Sequence, residues 1–409
     1  MKIIAALLLL IGLSSCSHQS EKQSESLPYE IPSPAAPGSG MPNFAVGNGK
    51  TYMSWIEKLD EGMHRLNYAL WEEGRWGEAQ EISRGKNWFA NWADFPAMAS
   101  FTDGRMAAHW LQKSGDGTFH YDVMLTFFDG LKWLEPQVLN TDGLKAEHGF
   151  VSMAVMPNGE LLISWLDGRN TASEDAHAAH SHEHGGEMSL RAAIFDKDFN
   201  RVKEWELDNR VCDCCQTSAL SIGDAAMIWY RDRSESEVRD ISMLRFEQGE
   251  WSEPQNFYAD NWEIAGCPVN GPSSASLNEN ILVAWYAMNE EQAKVKFRHS
   301  GNGGQNFESQ VVLNENPGPG RVHVCAIKHR NSFGVTWLET LEGETKIMFA
   351  EVDATKGNIL HKKALLSTSA ARASGFPRIA YDGKGIVLAY TQPGENNQVK
   401  TVYYELEDK

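Results

Sequence analysis

The sequence predicts an all-β chain folded as a single β-propeller of seven four-stranded blades, carried behind an export signal and a polar tether. Three observations predict it. A short apolar run ending in a small or polar residue and then Trp or Tyr recurs seven times, with the aromatic at positions 55, 110, 165, 229, 285, 337 and 390. The intervals are 55, 55, 64, 56, 52 and 53 residues, a period in the range of propeller blades. Turn dipeptides suited to hairpins, Asp103-Gly104, Asn158-Gly159 and Asp382-Gly383 among them, fall between the runs, and no stretch shows useful helical periodicity.

Taken in order, the chain opens with Met1-Lys2, an apolar run over residues 3–13, and Ser14-Ser15-Cys16. One cation, a short apolar stretch and small residues make a secretory signal, too short to span a bilayer. The ending Leu13-Ser14-Ser15-Cys16 resembles the bacterial lipobox, which implies that residues 1–16 are a lipoprotein signal and that Cys16 carries lipid. The partner implied is a membrane of the bacterial cell envelope, met on its periplasmic or surface face. Residues 17–40, rich in Ser, Gln, Glu, Pro and Gly, read as a flexible tether.

Residues 41–409 form the repeat. Each unit has a short strand before the aromatic run, as in Phe95-Pro96-Ala97-Met98-Ala99, and a third strand after it, as in Met124-Leu125-Thr126-Phe127-Phe128. A second turn leads to a fourth strand, as in Gln248-Gly249-Glu250-Trp251. The seventh unit ends after three strands, and the tether's end, Leu27-Pro28-Tyr29-Glu30-Ile31-Pro32, is placed to supply the missing one. A six-bladed ring is the alternative. The recurring tryptophans read as inter-blade packing; Trp88 and Trp92 fall off the beat and suit a stacking wall for a flat ligand. A formal net charge of -18 argues against nucleic acid as a partner.

Ser300-Gly301-Asn302-Gly303-Gly304-Gln305-Asn306-Phe307 resembles the Asp-box turn of sialidase-like propellers, with Asn302 in the Asp place and Phe307 in the Trp place. More broadly the chain is similar to bacterial lipoproteins labelled sialidase-like or exo-alpha-sialidase. They share phrases such as Asn91-Trp92-Ala93-Asp94-Phe95-Pro96, Cys212-Asp213-Cys214-Cys215-Gln216-Thr217 and Gly266-Cys267-Pro268-Val269-Asn270-Gly271-Pro272. The resemblance implies a propeller fold. For activity it implies an exo-glycosidase acting on exposed glycans, although the Arg-Ile-Pro phrase of true sialidases is absent.

In a propeller the starts of the innermost strands and the loops joining second to third strands open on one face. Unusual polar residues gather there: Asp94, His148, Gln216, Asn270, Arg321, His323 and Arg378 at strand starts, with Asp167, Arg169, Arg231 and Arg239 in the loops. Together with Trp92 these line a channel mouth suited to a small-molecule or glycan ligand. A sialidase-like reading takes three arginines from Arg231, Arg239, Arg321 and Arg378 to grip a carboxylate, because a planar guanidinium matches it with two hydrogen bonds. It takes Asp94 as the acid and Tyr230 with Glu237 as the nucleophile pair.

Five cysteines follow Cys16. Cys325 sits between apolar neighbours in a strand and reads as an inert thiol. In an oxidising compartment Cys212, Cys214, Cys215 and Cys267 read first as structural disulfides, one of them pinning adjacent blades, and second as soft ligands for copper or zinc. His177, His180, His182 and His184 form a second, weaker candidate for the same metals in the longest loop.

Overall fold

A computed structural model describes residues 26–172, 186–289 and 291–407. They build seven small antiparallel sheets. Cys16 and the loop histidines His177, His180, His182 and His184 lie outside the described residues.

Six blades follow the chain in order. Their inner strands are Ser39–Gly47, Met98–Ser100, His148–Val155, Ser218–Ile222, Ser273–Leu277 and Gly320–Ile327. The seventh runs Arg378–Tyr381, Gly385–Gln392 and Gln398–Glu405, and its outer strand is Tyr29–Ile31, paired antiparallel with residues 401–403. Seven sheets, not six, make the ring. The first inner strand begins at Ser39, slightly inside the segment that composition alone marks as tether.

Alternation explains why the second strand of each blade is apolar almost throughout: it is sandwiched within its sheet and between neighbouring blades. Leu161–Asp167 and Ala225–Arg231 are buried at every position. Trp55, Trp165, Trp229, Trp285 and Trp337 are fully buried there, and Trp110 nearly so. Trp88 is buried as well, stacked on Trp110 with ring centroids 5.2 Å apart, so it belongs to the core and not to a ligand wall.

The segment over Ser300 to Phe307 is a turn between the third and fourth strands of blade five. The Ser300 hydroxyl accepts the Gly304 N–H at 3.0 Å, and Asn302 Oδ1 accepts the Asn306 N–H at 3.1 Å. Phe307 packs edge-on against Phe257 and Trp229 of blade four. Gly304 has φ +79°, and a Cβ there would lie 2.6 Å from Met227 Sδ, so both conformation and space require glycine.

The seam between blades seven and one is held by Ile31, which packs with Tyr403 and Val387 of blade seven and Trp71 of blade one. Asp382 crosses the same seam, accepting from the Trp71 indole at 3.0 Å and from the Tyr403 hydroxyl at 3.1 Å. Ile31→Ala removes apolar contacts to both blades. The expected cost is about 2–5 kcal/mol of unfolding free energy, read from the denaturant midpoint by tryptophan fluorescence.

Candidate functional site

The starts of the inner strands surround a cavity of about 240 Å³. Asp94, Gln216, His323 and Arg378 line it, with Phe95 and Phe376. Small hydroxyl side chains complete the wall and are hydrogen-bonded from blade to blade, Ser152 to Thr217 and Ser218 to Ser274, each at 2.8 Å.

In blades one, three and six a Gly at or next to the start of the inner strand is followed by a residue of positive φ: Gly40-Met41 (58°), Gly149-Phe150 (52°) and Gly320-Arg321 (56°). The ladder register shifts immediately afterwards in all three. Such a bulge turns one N–H out of the ladder, and a buried N–H needs an acceptor. Thr391 Oγ1 supplies it to Met41 (3.2 Å), Asp94 Oδ1 to Phe150 (2.7 Å) and Asn270 Oδ1 to Arg321 (2.7 Å). A Cβ at Gly149 would sit 1.9 Å from Asp94 Oδ2, so the carboxyl occupies the space the glycine leaves. Asp94 and Asn270 therefore hold equivalent places, each reaching from the segment before one blade to cap the next. Burial raises the Asp94 carboxyl to about 7 against the Phe150 N–H, which acts to lower it.

The arginines divide sharply. Arg231 gives Nε and Nη2 to the Asn270 carbonyl, Nη1 to that of Arg239 and Nη2 also to that of Tyr286, with its guanidinium 4.9 Å from the Trp262 ring centre. Arg321 binds the Ala371 and Gly375 carbonyls and the Ser374 hydroxyl, and lies 4.8 Å from the Trp92 ring centre. Arg239 is bonded to Glu237 and to Cys212 Sγ. These three serve the scaffold, and the expected three-arginine grip is not assembled.

Arg378 differs. It is 7% exposed, its guanidinium stands 4.2 Å from the Phe95 ring centre, and its buried Nε has no hydrogen-bond partner among the described residues. Burial pulls it below the usual arginine range. His323 beside it accepts the Ile379 N–H at Nδ1 (3.2 Å); burial, and then the charge of Arg378, drive its pKa well down, so it is neutral.

The expected nucleophile pair is also corrected. Tyr230 is fully buried and donates to Asp208 at 2.6 Å, while Glu237 is clasped by Arg233 and Arg239, whose hydrogen bonds hold it down near about 2. A different tyrosine meets a glutamate: Tyr121 donates to Glu147 at 2.8 Å and lies 3.4 Å from Asp94 Oδ2. Burial, then Asp94 nearby, raise Glu147 despite that bond. Sequence reasoning missed Tyr121, which looks like any strand aromatic. It passed over Glu147 although the residue precedes a flagged strand start.

The remaining predicted residues fall into structural roles. His148 is buried between Asp142 (3.0 Å) and Asp167 (3.8 Å), and Arg169 bridges those same carboxylates, so these side chains partner one another within the fold. Gln216 gives Nε2 to the Ala93 carbonyl and accepts the Gly271 N–H, clamping three strand starts together. Trp92 stacks on Phe376, ring centres 6.0 Å apart.

No disulfide joins the described cysteines; all five are free thiols, which corrects the expectation of structural bridges. Cys212, Cys214 and Cys215 nonetheless cluster, with Cys212 Sγ 3.2 Å from that of Cys215 and 3.9 Å from that of Cys214. Burial pushes the isolated Cys325 thiol up to about 12.

No family model and no curated protein matches the chain. Solved structures match by shape. Ulvan lyase, from a new family of polysaccharide lyase and bound to -[GlcA(1-4)Rha3S]-, is 11% identical with a TM-score of 0.54, covering 92% of this chain and 96% of that one. NanB sialidase from Streptococcus pneumoniae, as a mutant, is 7% identical with a TM-score of 0.48, covering 93% and 94%. The β-propeller domain of the Trilobed protease from Pyrococcus furiosus is 11% identical with a TM-score of 0.47, covering 91% and 97%. At these identities the likeness is one of fold: a β-propeller.

Asp94→Asn keeps the Phe150 acceptor, as Asn270 does naturally in blade six. The folded value of about 7 lies above the ordinary aspartate value. The stability tied to this group is therefore full below pH ~4 and is lost as pH rises through about 7. Denaturant titrations between pH 4 and 8 are expected to show a shallower decline for Asp94→Asn than for the native chain. Asp94→Ala strands the N–H and costs about 1–3 kcal/mol at pH 4, where burial of a charge plays no part.

Proposed function

We propose that this chain is an exported, lipid-anchored binding protein whose channel cavity takes a small anionic ligand, an acidic sugar being the first class to test. One observation carries the reading. Arg378 is a buried cation on the wall of a polar cavity, and its Nε has no partner among the described residues. An unpaired buried charge is costly, and a ligand carboxylate or sulfate would relieve that cost with charge-assisted hydrogen bonds. Phe95 and Phe376 hold the guanidinium from the apolar side, while Ser152, Thr217, Ser218 and Ser274 offer hydroxyls to a polyol. Export and anchoring rest on residues 1–16.

A second reading, a glycosidase, is favoured by the Tyr121–Glu147 hydrogen bond beside Asp94. Against it, Tyr121 is fully buried, where no glycan carbon reaches it.

Calorimetric titration of the full chain in detergent, with glucuronate, N-acetylneuraminate and glucose, tests both. Glucuronate heads the series because the ulvan lyase was captured with a saccharide containing it. The expected outcome is binding of an acidic sugar over glucose, weakened at least tenfold by Arg378→Gln, with no turnover of a fluorogenic sialoside. Equal binding of charged and neutral sugars, or an Arg378→Gln chain that binds as the native one does, would end the proposal. Turnover abolished by Glu147→Gln would put the glycosidase in its place.

A further inference from the structure

The four thiols that follow the third and fourth blades do not come from one loop. Cys212, Cys214 and Cys215 lie on the segment that carries the chain from blade three into blade four. Cys267 lies on the next such segment, leading into blade five. The Cys267 thiol interacts electrostatically with that of Cys214, so the two segments face each other through their sulfurs. The three Sγ atoms of the first segment lie within 4.8 Å of one another. Cys212 and Cys215 are buried, Cys214 is half-buried and Cys267 is exposed, which grades the cluster from core to solvent.

The surroundings are built to hold this geometry. The Cys212 N–H donates to the Arg231 carbonyl at 3.0 Å, and Arg231 in turn grips the Asn270 carbonyl three residues beyond Cys267. Both sulfur-bearing segments are thus tied to one buried residue, the first to its carbonyl and the second to its guanidinium. A second one, Arg239, is 2% exposed and points Nη1 at Cys212 Sγ from 3.4 Å. An N–H donor aimed at sulfur, backed by fixed positive charge, is the outer shell that a metal–thiolate centre uses to balance its charge.

We propose that Cys212, Cys214, Cys215 and Cys267 bind one thiophilic d¹⁰ cation, zinc(II) or copper(I), across the junction of blades four and five. Soft thiolate donors select these ions over magnesium or calcium. A tetrahedral centre with zinc–sulfur bonds of about 2.3 Å spaces its sulfurs about 3.8 Å apart. The Cys212–Cys214 edge, 3.9 Å, already has that length, and the Cys212–Cys215 edge of 3.2 Å opens by about half an ångström to reach it. Each thiol that coordinates gives up its proton to solvent as the metal–sulfur bond forms, with no change in oxidation state at sulfur. Cys267, at the exposed end, is the ligand by which the ion enters. The site shares no residue with the Arg378 cavity, so either proposal stands without the other.

The test uses the full chain in detergent, reduced and freed of metal, then titrated anaerobically with cobalt(II) as a zinc surrogate, with zinc(II), and with copper(I) held by a chromophoric competitor. The expected result is one ion per chain, a sulfur-to-cobalt charge-transfer band, release of protons on binding, and protection of the clustered thiols from a thiol reagent while Cys325 behaves as before. Competition between the ions tells which is preferred. Cys214→Ser and Cys267→Ser are each expected to weaken binding at least tenfold, with unchanged tryptophan fluorescence, and Cys325→Ser to leave it intact. The absence of stoichiometric binding to the reduced native chain would overturn the proposal. So would affinities that ignore both variants, or recovery of the chain with the four sulfurs joined in disulfides that withstand mild reduction.

Discussion

Circular closure is the constraint on which everything else rests. Each blade packs only on its two neighbours, so an open seam leaves two apolar sheet faces in water and lets every inner strand drift from its position. Here three residues close the circle: Tyr29–Ile31 pair with residues 401–403, and Thr401 Oγ1 adds a bond to the Ile31 carbonyl at 3.0 Å. A short strand suffices because it closes an edge already backed by Trp71, Val387 and Tyr403. It also explains the prolines at 28 and 32, which flank the outer edge strand without entering its paired residues, where their missing N–H would matter.

Within the ring, one local device recurs and is then altered where chemistry gathers. In blades one, three and six the buried indole N–H is received by an acid two residues later in the same strand: Trp55 by Glu57, Trp165 by Asp167 and Trp337 by Glu339, at 2.8, 2.8 and 2.9 Å. Arg65 and Arg169 then neutralise the first two carboxylates. In blade five Asp260, coming from the preceding blade, does the same for Trp285, with Lys296 as its cation. In blade four the place of the acid is taken by Arg231, and the Trp229 indole N–H has no partner among the described residues. That exchange of sign frees a buried guanidinium to bind the backbone of the next segment, and it is this contact that brings Asn270 and the Cys267 segment against the Cys212 cluster.

The beat of aromatics made the ring legible, because inter-blade packing imposes one large apolar side chain per repeat and little else satisfies that position. The face bearing the unusual residues was legible for the same reason: topology alone decides where inner strands start. The roles within that face were not. Arg231, Arg321 and Arg378 are the same residue type in comparable places, yet two of them bind backbone carbonyls of other segments, and a backbone carbonyl leaves no trace in a residue pattern. Asp94 read as an acid because nothing in its neighbourhood reveals that Gly149 and Phe150, 55 and 56 residues later, form a bulge needing an acceptor. Tyr121 and Glu147 required three segments to be superposed. The cysteines misled through compartment, since an oxidising setting makes disulfide the default while the geometry gathers the sulfurs as a group.

The inner strands and the segments leading into them thus carry two opposed chemistries, and the body's charge bears on both. With a formal net charge of -18, the protein repels anions at long range and draws cations toward itself. An anionic ligand gains nothing from steering; whatever selectivity Arg378 has must come at contact, from an undersolvated guanidinium set among aromatic rings and hydroxyls. Such a site discriminates by shape and hydrogen bonding more than by charge, and its on-rate rises with salt as the repulsion is screened. A cation is favoured at every distance until it meets Arg239 and Arg231, so a hard ion held by charge alone is turned away at the last step. Only an ion whose bond to sulfur outweighs that positive wall is accommodated. The same two arginines that fix the strand starts therefore also filter what the thiols can hold.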